Sequence, residues 1–195
     1  MSYVICEYGK VKEEFPEFNA TMRELRSRLI EKATEDWKPL KFGGMAPKAG
    51  EFGETTILPV LFADITGTRM TTWSQWFNAT GSQTIMTGVG SQGTIPEDFK
   101  VGLVGLAFLD KAIRISEFKM QISDKKLPRI NIEEAFAYEQ PAIVFEEGFI
   151  LDEEQGFELV AYILSQGPQK IKLIGVQLNR VPNKVQVTNT GAAVT

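Results

Sequence analysis

The sequence predicts an all-β body, an antiparallel β-sandwich, with a single amphipathic helix ahead of it. Three observations carry that expectation. First, nine short apolar segments follow one another between Ile57 and Arg180, separated by Thr66-Gly67, Thr80-Gly81, Asp124-Lys125, Glu147-Gly148, Gln155-Gly156 and Gly167-Pro168. Such pairs mark turns, and many short strands at this spacing form sandwiches or barrels. Second, apolar residues alternate within several segments, as in Phe157, Leu159, Ala161 and Ile163. Third, a clear helical period occurs only ahead of residue 38.

Composition sets the outer bounds. The 195 residues carry a net charge of -4, with 43% hydrophobic and 24% charged residues, which is ordinary for a globular chain. There is no histidine and one cysteine, Cys6. Without imidazole there is no Ser-His or Cys-His pair, no histidine metal ligand and no near-neutral histidine switch. A single thiol makes neither an intrachain disulfide nor a multi-cysteine metal site. No cofactor is expected, and the chain reads as a non-enzyme. Mild acidity argues against generic phosphate binding. Residues 1–7 lack a basic leader and an apolar core, so no signal peptide is expected, and no run reaches the length of a membrane span.

Taken in order, residues 1–56 read as an N-terminal arm. Phe15, Phe18, Met22, Leu25, Leu29, Ala33 and Trp37 fall at spacings of three and four, one stripe of a helix from about residue 16 to 36. Pro16 suits a first turn, Thr21 and Glu24 could form a capping box, and Glu24 with Arg28 is a favourable pair. Residues 38–54 hold Pro39, Gly43, Gly44, Pro47, Gly50 and Gly53 without regular period, and read as a tether.

The body spans residues 57–182. Its expected strands are Ile57 to Ile65, Met70 to Asn78, Gln83 to Val89, Lys100 to Leu109, Ala112 to Ser123, Ile130 to Glu139, Ala142 to Leu151, Phe157 to Ser165 and Gln169 to Arg180. Between Ile113 and Ile115 on one side and Phe118, Met120 and Ile122 on the other, the apolar parity flips, which predicts a β-bulge at Ser116-Glu117. A similar flip separates Ile171 and Leu173 from Ile174, Val176 and Leu178. Residues 183–195 read as an extended tail.

Charge is segregated. From Ile57 to Pro96 only Asp64 and Arg69 are charged; nine acidic and no basic residues lie between Ile130 and Gln169; four basic and no acidic ones follow from Lys170 to Lys184. Such blocks pair between neighbouring strands or between subunits. Gly88-Val89-Gly90-Ser91-Gln92-Gly93 fits a dinucleotide fingerprint in letters only, because Thr94-Ile95-Pro96 follows where a helix would have to begin. Asp152, Glu153 and Glu154 are candidate ligands for a hard cation, but their spacing matches no EF-hand loop and a solvated turn between two strands is the favoured account, so no metal is expected. Trp73 and Trp76 have opposite strand parity, so one ring is expected inward and one outward.

A strand-rich body, a helical arm on a Gly/Pro tether, an uncharged stretch and a polar tail are together similar to the single jelly-roll capsid proteins of viruses. Phe157 to Tyr162 followed by Ile171 to Val176 reads like the last hairpin of such a body. The resemblance implies a jelly-roll-like antiparallel β-sandwich with an N-terminal helical arm and an extended C-terminal tail. It implies a self-assembling coat subunit of the virion whose partners are copies of itself and other coat proteins. Phe15, Phe18, Met22, Leu25, Leu29, Trp37, Trp73 and Trp76 are then the assembly candidates. Arms of that family that bind genome are strongly basic, whereas residues 1–56 hold nine basic against ten acidic residues, so direct nucleic-acid binding is not expected. Two other classes stay open. One is a carbohydrate-binding module or adhesin using Trp73, Trp76 and the turn at Asp152 to Glu154. The other is a filament subunit whose Val4-Ile5-Cys6 or Val185-Gln186-Val187 completes a neighbour's sheet.

Overall fold

The computed structural model describes residues 2–37 and 53–180. The tail 183–195 and nearly all of the tether 38–54 lie outside the described residues. Twelve strands and two helices follow in the order β1 (Tyr3–Glu7), α1 (Val11–Glu14), α2 (Phe18–Asp36), β2 (Gly53–Thr56), β3 (Phe62–Ala63), β4 (Ser74–Phe77), β5 (Gly81–Gly88), β6 (Phe99–Phe108), β7 (Ile115–Ile122), β8 (Lys125–Lys126), β9 (Ile130–Asn131), β10 (Pro141–Leu151), β11 (Phe157–Ile163) and β12 (Gly167–Asn179).

They form two packed antiparallel sheets, as the alternating segments lead one to expect. The first sheet has the order β1-β10-β6-β12-β2, with β4 pairing the other half of β12; the second has the order β3-β5-β11-β7-β8, with β9 also on β7. The pairing follows a simple rule. Counting from β4, the first strand pairs with the last (β4 with β12), the second with the second last (β5 with β11), the third with the third last (β6 with β10), and β7 meets β8 and β9 at the closed end. The chain is thus one long hairpin. Rolling it brings β12 against β6 and β11 against β7, which closes the two sheets.

The sheets differ in what covers their outer faces. On the second sheet, β7 and β11 alternate between buried and partly exposed residues, with Tyr162 exposed, because no described element covers their outer face. In the first sheet every residue of β6 from Lys100 to Phe108 is buried. Its inner face meets the second sheet, and its outer face meets the N-terminal segment, folded back onto it. Cys6, Val11 and Phe15 pack with Ala107, Ala142 and Val144, and Leu29, Ala33 and Trp37 pack with Val176 and Leu178. Gly102 and Gly148 let the helix come close, since a Cβ on either would lie 3.1 Å or 2.7 Å from Leu25 side-chain atoms.

The sequence leaves open whether the arm packs on its own body or on a neighbour, and its described part, residues 2–37, packs on its own body. Tyr3–Glu7 is an edge strand on β10, and the α2 stripe lies on its own body. Helix α2 begins at Phe18, and Thr21 Oγ1 donates to Glu146 O instead of closing a capping box. Three expected strands are also shorter than their apolar content suggests. Met70 to Asn78 is a strand only over Ser74–Phe77. Ile57 to Ile65 is interrupted by a 3-10 turn at Pro59–Leu61, where proline fixes φ and supplies no ladder donor. In Ile130 to Glu139, Asn131 Oδ1 accepts from Glu133 N and turns the chain into a 3-10 helix at Glu133–Ala137, leaving Phe136 48% exposed.

The bulge at Ser116 is present: Tyr162 pairs with Glu117 while Ile163 pairs with Ile115. The second parity flip has a different cause. The ladder does slip between Ile174 and Gly175, but the extra residue is Val104 on β6. Along β12 the odd residues Ile171 and Leu173 face the sandwich core throughout, while Ile174, Val176 and Leu178 face outward under the helices. Apolar residues therefore change sides because a helix covers that half of the outer face.

Three buried glutamines join irregular loops to the frame. Gln177 Oε1 accepts from Leu58 N at 2.9 Å, Gln169 Oε1 from Arg114 N at 2.7 Å, and Gln75 Oε1 from Ile65 N at 3.3 Å.

Leu29→Ala is expected to lower stability by about 2–5 kcal/mol in urea titrations, because Leu29 is fully buried between helix and sheet. Cys6 is equally enclosed, and burial, with Glu14 and Glu7 nearby, pushes its thiol up to about 11. Alkylation at pH 8 is expected to be negligible in the folded chain and to rise when β1 detaches, as a time course of labelling reads directly.

Candidate functional site

The acidic turn after β10 does not hold a cation site. Asp152 and Glu153 turn toward Lys100, which is completely buried at the head of β6. A bare ammonium in that position would be costly, so the chain surrounds it. Lys100 Nζ donates to Asp36 Oδ2 at 2.7 Å and to Asp152 Oδ1, with Glu153 Oε1 at 3.9 Å. It also lies 5.4 Å from the Trp37 ring centre. The Trp37 indole N–H is shared between both Glu153 carboxylate oxygens at 3.1 Å, and Lys32 Nζ reaches Asp152 Oδ2 at 2.8 Å. Two lysines and three carboxylates thus join the C-terminal end of α2 to the sheet.

The electrostatics follow from that arrangement. Burial alone would raise the Asp152 carboxyl, but hydrogen bonds from Lys100 and Lys32 outweigh it and hold the group below its ordinary 3.8. The hydrogen bond to Asp152 in turn raises Lys32 above its ordinary 10.5. Glu154 is exposed, with φ of 58° at the turn. Among the described residues no three acidic or cysteine side chains are grouped to hold a metal. The cation reading of Asp152, Glu153 and Glu154 is therefore replaced by an internal ion cluster. A signal for it was present in the sequence, since Lys100 is the only charge in the run from Phe99 to Leu109.

The assembly candidates separate into two groups. Leu25, Leu29 and Trp37 are at most 1% exposed, Phe15 is buried, and Phe18 and Met22 are partly buried beside them. Trp73 packs against the core, with its ring centre 6.2 Å from that of Phe62. Trp76 alone faces out, 60% exposed, on β4 opposite Pro168. The parity argument for these two rings therefore holds, and no shared tryptophan platform exists for a sugar. The glycine-rich loop is likewise no nucleotide site: Gly90 N donates to Thr94 O, Thr94 bridges Gly156, and a three-residue 3-10 turn stands where a helix is needed.

Around Trp76 lies one side of the sandwich, formed by β2, β4 and the segment between them, where Leu58 is 41% and Val60 38% exposed. Between β2 and β4 the only charges are Asp64 and Arg69, and both have local partners: Asp64 Oδ1 accepts from Thr66 N and Thr68 N, and Arg69 Nε donates to Val60 O. Next to β2 a cavity of about 700 Å³ opens under α2, lined by Met22, Thr56, Val176 and the paired Arg26 and Glu54. The opposite side carries Lys125, Lys126, Arg129, Glu133 and Glu134. No described helix is long and apolar enough to cross a membrane.

Asp152→Asn is expected to cost about 3–5 kcal/mol at pH 7, because it removes a direct partner of a buried ammonium. The carboxylate contributes stability above its ordinary 3.8, and that contribution is lost as pH falls through its depressed folded value. Urea midpoints across an acid series should accordingly fall less steeply for the variant than for the native chain. Against known proteins, the chain matches no family, no curated relative and no solved structure.

Proposed function

We propose that this chain is a non-enzymatic, self-assembling structural protein whose body is a jelly roll, and that it serves as a coat subunit of a virion. The observation that carries the reading is the strand pairing. A single hairpin of eight strand positions, rolled so that β4-β12-β6-β10 and β5-β11-β7-β8 form facing sheets, has the plan of two interlocked Greek keys. Rolls of that plan serve as capsid, lectin and cupin domains. Within that group the residues favour assembly. A lectin reading needs an aromatic platform and a cation turn, whereas Trp73 is inward and Asp152 and Glu153 are engaged by lysines. A cupin reading needs metal ligands, and the chain has no histidine.

Contact between subunits then belongs to the charge-poor side bearing Trp76, Leu58 and Val60, and not to the α2 stripe, which is already covered. Strand donation by Val4-Ile5-Cys6 is disfavoured for the same reason, because those residues pair with β10 of their own chain. Val185-Gln186-Val187 lies outside the described residues.

Light scattering behind size exclusion, followed by negative-stain microscopy of the untagged chain, tests the proposal. Concentration-dependent masses at multiples of 21.8 kDa and closed particles are expected. A 21.8 kDa species alone at every concentration and ionic strength would overturn it.

A further inference from the structure

We infer that the outer edge of β4 is a seam between two copies of this chain, Ser74–Phe77 of one pairing antiparallel with Ser74–Phe77 of the other. The inference rests on the self-assembly reading and names the surface that reading uses.

The phase of the ladder shows which backbone groups are free. Ile171 N donates to Trp73 O at 3.1 Å, so Trp73 and Ile171 form a hydrogen-bonded pair. In an antiparallel ladder such pairs alternate. Gln75 and Phe77 therefore bond toward β12, and the N–H and C=O of Ser74 and Trp76 point away from the sheet. Pro168 opposite Trp76 fits this phase, since it has no N–H to offer. Ser74 N–H has one long contact, 3.4 Å to Thr72 Oγ1. Among the described strands none lies beyond β4.

Exposed edges in folded proteins carry charges, prolines or covering elements that block pairing with another chain. The other long side of this sandwich does so, with Lys125 and Lys126 as β8 and Arg129 close by. Among the described residues the β4 edge has none of these. It offers outward donors and acceptors, a 60% exposed indole and no charged residue in the strand. The occupant follows from symmetry. An antiparallel strand pair about a two-fold axis is its own complement, with each donor meeting the other copy's acceptor. An uncharged strand meets no like-charge repulsion when it faces itself, and it offers nothing for a charged partner to recognise. Trp76 on each copy covers the four-residue ladder from one face, supplying the apolar burial that so short a pairing lacks.

Two substitutions separate the edge from the ring. Ser74→Pro removes an outward N–H and leaves the Gln75 and Phe77 bonds to β12 in place; Trp76→Thr keeps a strand-forming residue and removes the indole. Tyr162→Thr, an exposed aromatic on the outer face of the second sheet, is the control. Circular dichroism and Cys6 labelling report the fold of each variant. Analytical ultracentrifugation is expected to show a dimer step in the native chain, weakened about tenfold or more by either β4 substitution and unchanged in the control. An unchanged dimer step in folded Ser74→Pro and Trp76→Thr chains would overturn the seam while leaving self-assembly standing. A native chain monomeric at all concentrations would overturn both. If Ser74→Pro fails to fold, Trp76→Thr decides alone.

Discussion

The rest of the molecule depends on one constraint: the β10-β6-β12 sheet is apolar on both faces. A sheet in a two-layer sandwich needs only one face covered, and the second sheet keeps to that rule with alternating burial. Here Val104, Ala107, Val144, Ile174, Val176 and Leu178 would leave a large apolar surface in water if nothing else were present. The N-terminal segment answers that demand, so its helix stripe, its edge strand and the glycines at 102 and 148 belong to one layer of the same domain. Lys100 belongs to the same arrangement. It enters from a strand with no exposed face, and the chain must bring carboxylates from α2 and from the turn after β10 to meet it.

This constraint bears on where the proposed assembly would make its contacts. An α2 stripe already packed in its own chain has no apolar area to offer a neighbour, whereas the segment from Ile57 to Pro96 supplies two short edge strands, β3 and β4, and almost no charge. Folded proteins commonly protect such an edge, and among the described residues the charges that do so, Lys125, Lys126 and Arg129, stand on the opposite side. The contrast between the two sides supports the assembly reading more directly than hydrophobicity summed over the chain does.

Much of the fold was legible in the sequence, and the misreadings have physical causes. The positions of β5, β6, β7, β10, β11 and β12 follow from alternation and turn pairs, and the Ser116 bulge follows from a parity slip inside one strand, because period two leaves no other explanation when both halves are buried on the same side. At Ile174 the same signal has a different source: the register does shift there, but the extra residue lies on β6, and the apolar residues change sides because a helix covers the outer face of β12; sequence parity cannot separate those cases. Phe136 shares parity with Ile130 and Ile132 but is exposed, because an Asn131 side-chain turn competes with strand continuation. The helix period was visible, yet whether its stripe packs in its own chain depends on distant residues such as Gly148 and Lys100. Asp152 and Glu153 were read with solvent as their neighbour, and a buried lysine some fifty residues earlier was their partner.

The rolled hairpin also constrains how the chain reaches its shape. Strand β4 finds β12 only after roughly 90 intervening residues have been made, and distant pairings of this kind fold slowly because loop closure precedes any compensating contact. On the ribosome β4 emerges early and waits, with the edge-forming residues Ser74–Phe77 unpaired on both sides while the C-terminal third is still being synthesised. The uncharged run around it is then the part of the nascent polypeptide most in need of a chaperone. Slow codons or cold should therefore shift newly made chains toward insoluble material before any finished subunit exists.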